Sequence, residues 1–424
     1  MTGEPDTPRG GGRDVARVVA ARFISRAGGE AAFFVGIWGA AAYTFHATPV
    51  QLAVLMGVLA GTTILGTLVS GVLVDRYDPR RVLVGAEAVF VPVALSLMLA
   101  QTLTQLTALV ALLGFFGAPV MTATASFAPF LSDDRDGLER VNAWIEGAGS
   151  LSLIIGPAIG ALIARVASIE WIFALDAATS LIAVILVWPV RVNRPAVERH
   201  TPAGAWSEFV EGLRFTYASR PLRYYVLIGT GMWLGFGAFG ALEPLFFRDV
   251  LRTGVESIGW VNTVFGIGLV AGAALLVRLP KRIISARGLA IVSAIMGLGA
   301  LLYVGTDDIR IVAVGAVTWG VVIGSAEPLL RTLIQADSPD DYVGRVAGAS
   351  RVHQQAGELI PLAFAPALAA AFGVQAVLIG GGFVLSLVAV ATYAEAAAVD
   401  RLISSRREVP ISLVTADEPI SPNP

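Results

Sequence analysis

The chain has 424 residues, 55% of them hydrophobic and 15% charged, with a formal net charge of −2 and a mean hydropathy of +0.73. Soluble globular chains carry about 25% charged residues, so a membrane class comes before any count of soluble domains. The lack of cysteine excludes disulfides and thiolate chemistry, and the scattered basic residues form no patch for nucleic acid. His46, His200 and His353 lie far apart, so neither a metal site nor a cofactor is expected.

The tail "MTGEPDTPRGGGRD" is not followed by a short apolar core and a small-residue cleavage site, so the first apolar segment reads as an uncleaved anchor. No Asp, Glu, Lys or Arg occurs from Ala31 to Val74 or from Ala88 to Ser132. At about 20 residues per crossing, each run holds two helices, divided at Thr48-Pro49 and at Gln101–Gln105. Shorter clear runs follow at Gly147–Ala164, Ala177–Val190, Tyr224–Leu242, Ser257–Val277, Gly288–Thr306 and Ile311–Ala326. Leu359–Ala394 again holds two, broken near Phe372-Gly373. Continuous runs of this length, without period-two alternation, predict helices and not strands. The expectation is an all-α membrane protein with twelve transmembrane helices.

Basic residues collect on one side of these spans, at Arg9, Arg13 and Arg17, at Arg76, Arg80 and Arg81, at Arg135 and Arg140, at Arg191, Arg194 and Arg199, at Arg278, Lys281, Arg282 and Arg287, and at Arg401, Arg406 and Arg407. Both termini are therefore expected in the cytoplasm, with the protein in the cytoplasmic membrane of a bacterium and in contact with its lipid bilayer. The polar stretch Val190–Arg223 contains the amphipathic "WSEFVEGLRFTY". It reads either as a linker with a surface helix or as a plain basic loop. The expected organisation is a tail over 1–18, a bundle over 19–190, a linker over 191–222, a bundle over 223–398 and a tail over 399–424.

The halves resemble each other. Offset so that Arg140 meets Arg345, they also match Val141 with Val346. Near the second span, Gly71 meets Gly272 and Arg80-Arg81 meet Lys281-Arg282, whereas Asp75 meets Leu276. Parallel six-helix repeats are a transporter architecture. The loop "GVLVDRYDPRR", Gly71–Arg81, resembles the signature loop of the major facilitator superfamily, and the helix count, repeat and central linker agree. The opening "ARFISRAGGEAAFF" is similar to the first helix of the bacterial exporter branch that includes enterobactin and multidrug exporters. The resemblance implies two pseudo-symmetric bundles, a small-molecule substrate, export by alternating access and coupling to protons, in a monomer.

In the loop, Asp78 is suited to cap the third helix with Pro79 at its first position, and Gly71 to permit close helix approach. Arg76, Arg80 and Arg81 carry topology charge. Asp75 is either part of a solvated turn or, as the resemblance implies, a reversible latch to the other half. In the fifth span, Ala148, Ser152, Gly156, Gly160 and Ala164 form a small-residue stripe loosened by Pro157. Ser152, Gly156, Pro157 and Gly160 resemble an exporter motif, read either as a hinge between the halves or as ordinary close packing.

Charges inside the spans are Arg22, Arg26, Glu30, Glu87, Glu146, Asp176, Glu243, Glu327, Arg331, Arg351 and Glu358. Such groups usually face a cavity or a partner, though Arg22 and Glu87 are the readiest to snorkel. The superfamily lines its cavity with helices 1, 4, 7 and 10, which puts Glu30, Glu243 and Glu327 first for proton coupling or substrate binding, with Arg26 and Arg331 as partners. Glu327 and Arg331 are also placed to neutralise one another. Glu146, Arg345, Arg351 and Glu358 are candidates for pairs between the halves. Phe34, Trp38, Trp233 and Trp319 would make an aromatic pocket, or else face lipid. The competing readings are an importer or uniporter and, from another class, a polytopic membrane enzyme or receptor. The glycine-rich "GIGLVAG" lacks the Lys-Ser/Thr of a nucleotide-binding loop.

Overall fold

The computed structural model describes residues 12–132, 134–191 and 202–408. Parts of the expected tails and linker (1–11, 192–201 and 409–424) and the side chains of Asp75 and Lys281 lie outside the described residues. The chain forms α1 Gly12–Ala31, α2 Pro49–Arg76, α3 Pro79–Ser96, α4 Leu103–Ala125, α5 Arg135–Val166 and α6 Glu170–Val187, then α7 Pro202–Ala218 in the linker. It continues with α8 Arg220–Phe236, α9 Phe239–Leu245, α10 Glu256–Arg278, α11 Ala286–Val304, α12 Ile309–Asp337, α13 Val343–Phe372, α14 Val374–Ala391 and α15 Tyr393–Glu408. No strand occurs among the described residues.

Eleven of the described helical segments are long and apolar enough to cross a membrane, α8 and α9 counting as one. The twelfth span is α1, which Arg22, Arg26 and Glu30 make less apolar than the others. It reaches the far side through two π-helical stretches, Ala32–Ile37 and Ala40–Thr44. Thr48 closes a capping box with Gln51 at the start of α2, and Asp78 accepts a bond from the Arg80 N–H at the start of α3 (2.8 Å). Both satisfy amides that a helix start otherwise leaves bare.

Two six-helix bundles result, and their packing repeats. α1 lies on α5 and α6, as α8 lies on α13 and α14. α2 and α3 pack on α4, as α10 and α11 pack on α12. The duplication extends to backbone detail. The span containing α8 and α9 also ends in a π-helical stretch, Phe246–Val250. Each of these two ends is followed by a non-glycine residue at positive φ, His46 at 47° and Arg252 at 53°. Between the bundles, α5 packs on α10 and α13 on α2.

Candidate functional site

A cavity of about 590 Å³ lies between the bundles, lined from α1, α3, α4, α6 and α8 to α13. Its wall in the second bundle is aromatic. Trp319 of α12 stands 4.6 Å from Phe239, 5.4 Å from Tyr303 and 5.6 Å from Phe265, ring centre to ring centre. Phe236 stacks on Phe239. Opposite, Phe33, Phe34 and Trp38 of the first span form a second aromatic group with ring centres 5.0–5.2 Å apart. Phe34, Trp38, Trp233 and Trp319 therefore face this cavity and not lipid.

Glu243 of α9 is buried in this aromatic wall. Its Oε1 accepts from the Tyr303 hydroxyl at 2.7 Å and from Asn262 Nδ2 at 3.2 Å, which offsets the cost of burying a carboxyl group. Across the cavity, Arg26 and Glu30 form an ion pair at 2.5 Å. α4 has no charge, and two arginines of α1 reach over to it instead. Arg22 and Arg26 each donate to the Met121 sulfur, at 3.3 and 3.2 Å. Sequence reasoning missed Tyr303 and Asn262. The visible signal was a lone tyrosine and a lone asparagine in spans otherwise apolar.

Glu327 is not in this chamber. It belongs with Arg331, Arg351 and Glu358 to a second cavity of about 530 Å³, and accepts from Trp233 Nε1 at 3.0 Å. Trp233 and Glu358 line both spaces, so the indole stands between them.

The bundles are closed at one end and apart at the other. On the face away from the chain termini, Arg248 donates to the Ala42 and Ala47 carbonyls at 2.9 and 3.1 Å. Nearby, Gly259 of α10 is packed so tightly on α5 that a Cβ would stand 2.5 Å from the Pro157 carbonyl oxygen. Contact continues at Gly266 with Leu153. Beyond it, toward the terminal face, an apolar space of about 1320 Å³ separates Trp144, Ala148 and Leu151 of α5 from Leu269, Val270 and Ala273 of α10.

Comparison with known proteins agrees with this geometry. Residues 18–361 match the Major Facilitator Superfamily. The chain belongs to the Major Facilitator Superfamily. It is 30% identical over 317 residues to the multidrug efflux pump Tap of Mycobacterium tuberculosis, spanning 69% of this chain and 73% of that protein. It is 25% identical over 353 residues to the enterobactin exporter EntS of Escherichia coli, spanning 80% and 82%. In fold it superposes on the nucleoside transporter NupG with a TM-score of 0.73 at 10% identity, over 90% of this chain and 99% of that one. The protein is thus a multi-pass membrane transporter of this superfamily.

Several superfamily motif residues stand elsewhere than expected. Gly71 has no heavy atom within 4 Å of where a Cβ would be, whereas its counterpart Gly272 would place one 2.0 Å from the Val321 carbonyl oxygen. The close helix contact expected at Gly71 is therefore absent with the terminal face open. Arg80 donates to the carbonyls of Trp188 and Val190 at 3.2 and 3.3 Å, tying α3 to the end of α6. Arg76 and Arg81 are exposed at the same end. The small-residue stripe of α5 packs inside its own bundle. Gly156 meets Ala27 and Glu30, Gly160 meets Val35, and the Ser152 hydroxyl donates to the Phe23 carbonyl at 2.9 Å. The cross-bundle contact belongs to Leu153, Pro157 and Ala161.

The expected ion pairs between halves do not form among the described residues. Arg345 pairs with Glu211 of α7 at 3.2 Å, and Tyr342 donates to the same carboxylate at 2.7 Å. Glu146 is exposed and feels Arg22 of its own bundle. Arg351 lines the second cavity, and Glu358 lines both. An open terminal face holds such partners apart. Arg331 lies near Glu327 without a described ion pair. Glu87, expected to snorkel, is buried and accepts from the Ser25 hydroxyl at 2.7 Å.

Proposed function

We propose that this chain exports small amphiphilic or aromatic organic molecules across the bacterial cytoplasmic membrane by alternating access, in exchange for protons. The observation that carries this reading is the buried carboxyl of Glu243, hydrogen-bonded within an aromatic wall at the substrate-sized cavity. Aromatic faces hold planar apolar solutes, and a carboxyl that alternates between a dry and a wetted setting can exchange a proton. The names of Tap and EntS favour export of a drug-like compound, a secondary metabolite or a siderophore over uptake. With both termini cytoplasmic, a reading the arginine distribution supports, the open terminal face is the inward-facing state. Asp75 then serves as a latch that engages when that face closes. No chemistry beyond transport is needed to explain the cavity, and the protein acts as a monomer.

The test is drug and siderophore accumulation in a strain lacking the protein, complemented with wild type or variants. Export should fail when the proton gradient is collapsed. Glu243→Gln should lose at least tenfold in gradient-driven export while retaining substrate binding, and Glu30→Gln should lose less. Unchanged export by both variants would sink the coupling assignment.

A further inference from the structure

The first bundle contains a group of carboxylates that the reading above does not use. Asp176 of α6 is 1% exposed, and neither of its side-chain oxygens has a hydrogen-bond partner. Glu87 of α3 is 2% exposed; Ser25 satisfies its Oε1, while Oε2 has none. The two acids feel each other's charge and line the same flank of the central cavity. Ser180, one turn beyond Asp176, adjoins Glu87. The site is closely built, because at Gly28 of α1 a Cβ would stand 1.9 Å from the Thr179 hydroxyl and 3.2 Å from the Asp176 Cα.

The charges around it do not balance. α1 supplies Arg22, Arg26 and Glu30, and Arg26 is neutralised by Glu30. The α4 residues here, Met121 and Thr124 among them, carry no charge. Arg22 is left to answer Glu87, Asp176 feels Glu87 and no described cation, and the exposed Glu146 of α5 draws on Arg22 from the solvent side. With both acids ionised and the solvent-exposed Glu146 left aside, one buried negative charge is surplus in a region where an uncompensated charge is costly. A single monovalent cation would cancel it.

We propose that Glu87 and Asp176, with the hydroxyls of Ser25 and Ser180, form a binding site for one monovalent cation, a proton or a sodium ion. The site sits on the α3–α6 flank of the first bundle, across the cavity from Glu243. Because the Ser25 donor and the Arg22 charge lie on α1, movement of α1 against α3 and α6 would change how firmly the ion is held. The transporter reading supplies the context, but occupancy of the site does not depend on Glu243.

Infrared difference spectroscopy on the purified full-length protein tests this through the carbonyl stretch of protonated carboxyl groups, across pH and sodium concentration. Wild type should show a buried protonated carboxyl distinct from that of Glu243. It should shift or weaken in Glu87→Gln and in Asp176→Asn, since either change removes one of the two acids that share the cation, and persist in Glu243→Gln. Displacement of that signal by saturating sodium, in wild type only, would support the site with sodium as occupant. Gel filtration and thermal melting establish that each variant is folded, and the two single variants serve as substitutes for each other. Folded variants whose spectra match wild type at every pH and sodium concentration would overturn the proposal. Failure of Glu243→Gln to impair export would overturn the coupling reading and leave this result unaffected.

Discussion

Asp134 shows how much a single side chain can fix at a helix start. Its Oδ1 accepts from the Gly137 N–H at 3.1 Å and the Ser132 hydroxyl at 3.0 Å. These bonds, the Ser132 hydroxyl foremost, hold the carboxyl below its ordinary value of 3.8. A group with a depressed folded-state value stabilises the fold above its unfolded value, and that contribution is lost as pH falls through the folded one. The advantage of wild type over Asp134→Ala in thermal melting should therefore be level from neutrality down to about 3.8 and shrink only below it. A difference that instead decays between pH 7 and 5 would show that the cap is not the source. Asp78 has the same capping role, and there the pair Asp78-Pro79 made it visible beforehand. The bonds to Glu243 were not visible, because Tyr303 and Asn262 come from other spans and only folding brings them together.

At the scale of helices, charge-free runs were enough to count twelve spans, and the arginine clusters marked their ends. The first span begins ahead of its charge-free run, in α1, since a span that lines a cavity carries the polar groups the cavity needs. Glycines were harder to read, because the repeat aligns Gly71 with Gly272 although only Gly272 is pressed against a neighbour here. This difference has an energetic consequence. Gly272→Ala should destabilise by about 1–3 kcal/mol, as overpacking does. Gly71→Ala should leave melting unchanged or raise stability by roughly 0.5–1 kcal/mol through helix propensity. It should nonetheless slow transport if closing the terminal face presses α2 onto α13. Denaturation in detergent together with a transport assay separates the two effects, and equal destabilisation by both substitutions would contradict the packing described. The stripe on α5 left its partner open for a similar reason. Small residues announce a close contact without saying with which helix, and α1 lies nearer than the opposite bundle.

At the scale of the whole molecule, two bundles meet at one end and part at the other, and exchange between the two states requires breaking one set of contacts to make another. Arg248 is the described polar bond on the closed side. A hydrogen bond involving a charged group contributes about 1.5–3 kcal/mol, so losing two should shift the balance of states roughly a hundredfold or more. Arg248→Ala should therefore populate molecules open on the far face. Paired spin labels on cysteines introduced at Ala42 and Leu251 would report the distance, against a chain that has no cysteine of its own. An unaltered distance distribution would remove Arg248 from the gate.

Arg248 and Ala42 also occupy matching places in the two halves, each within the π-helical stretch that ends its span. Equivalent residues that touch must straddle the pseudo-twofold axis, so the gate closes on the line about which the halves were duplicated. There it is a one-sided bolt. The donor is a side chain, and both receivers are main-chain oxygens that every amino acid carries. No exchange at Ala42 or Ala47 deletes an acceptor, whereas almost any exchange at Arg248 deletes both bonds. Mutations that unlock this face should therefore collect on one helix, and second-site changes that restore the lock should have to supply a new donor.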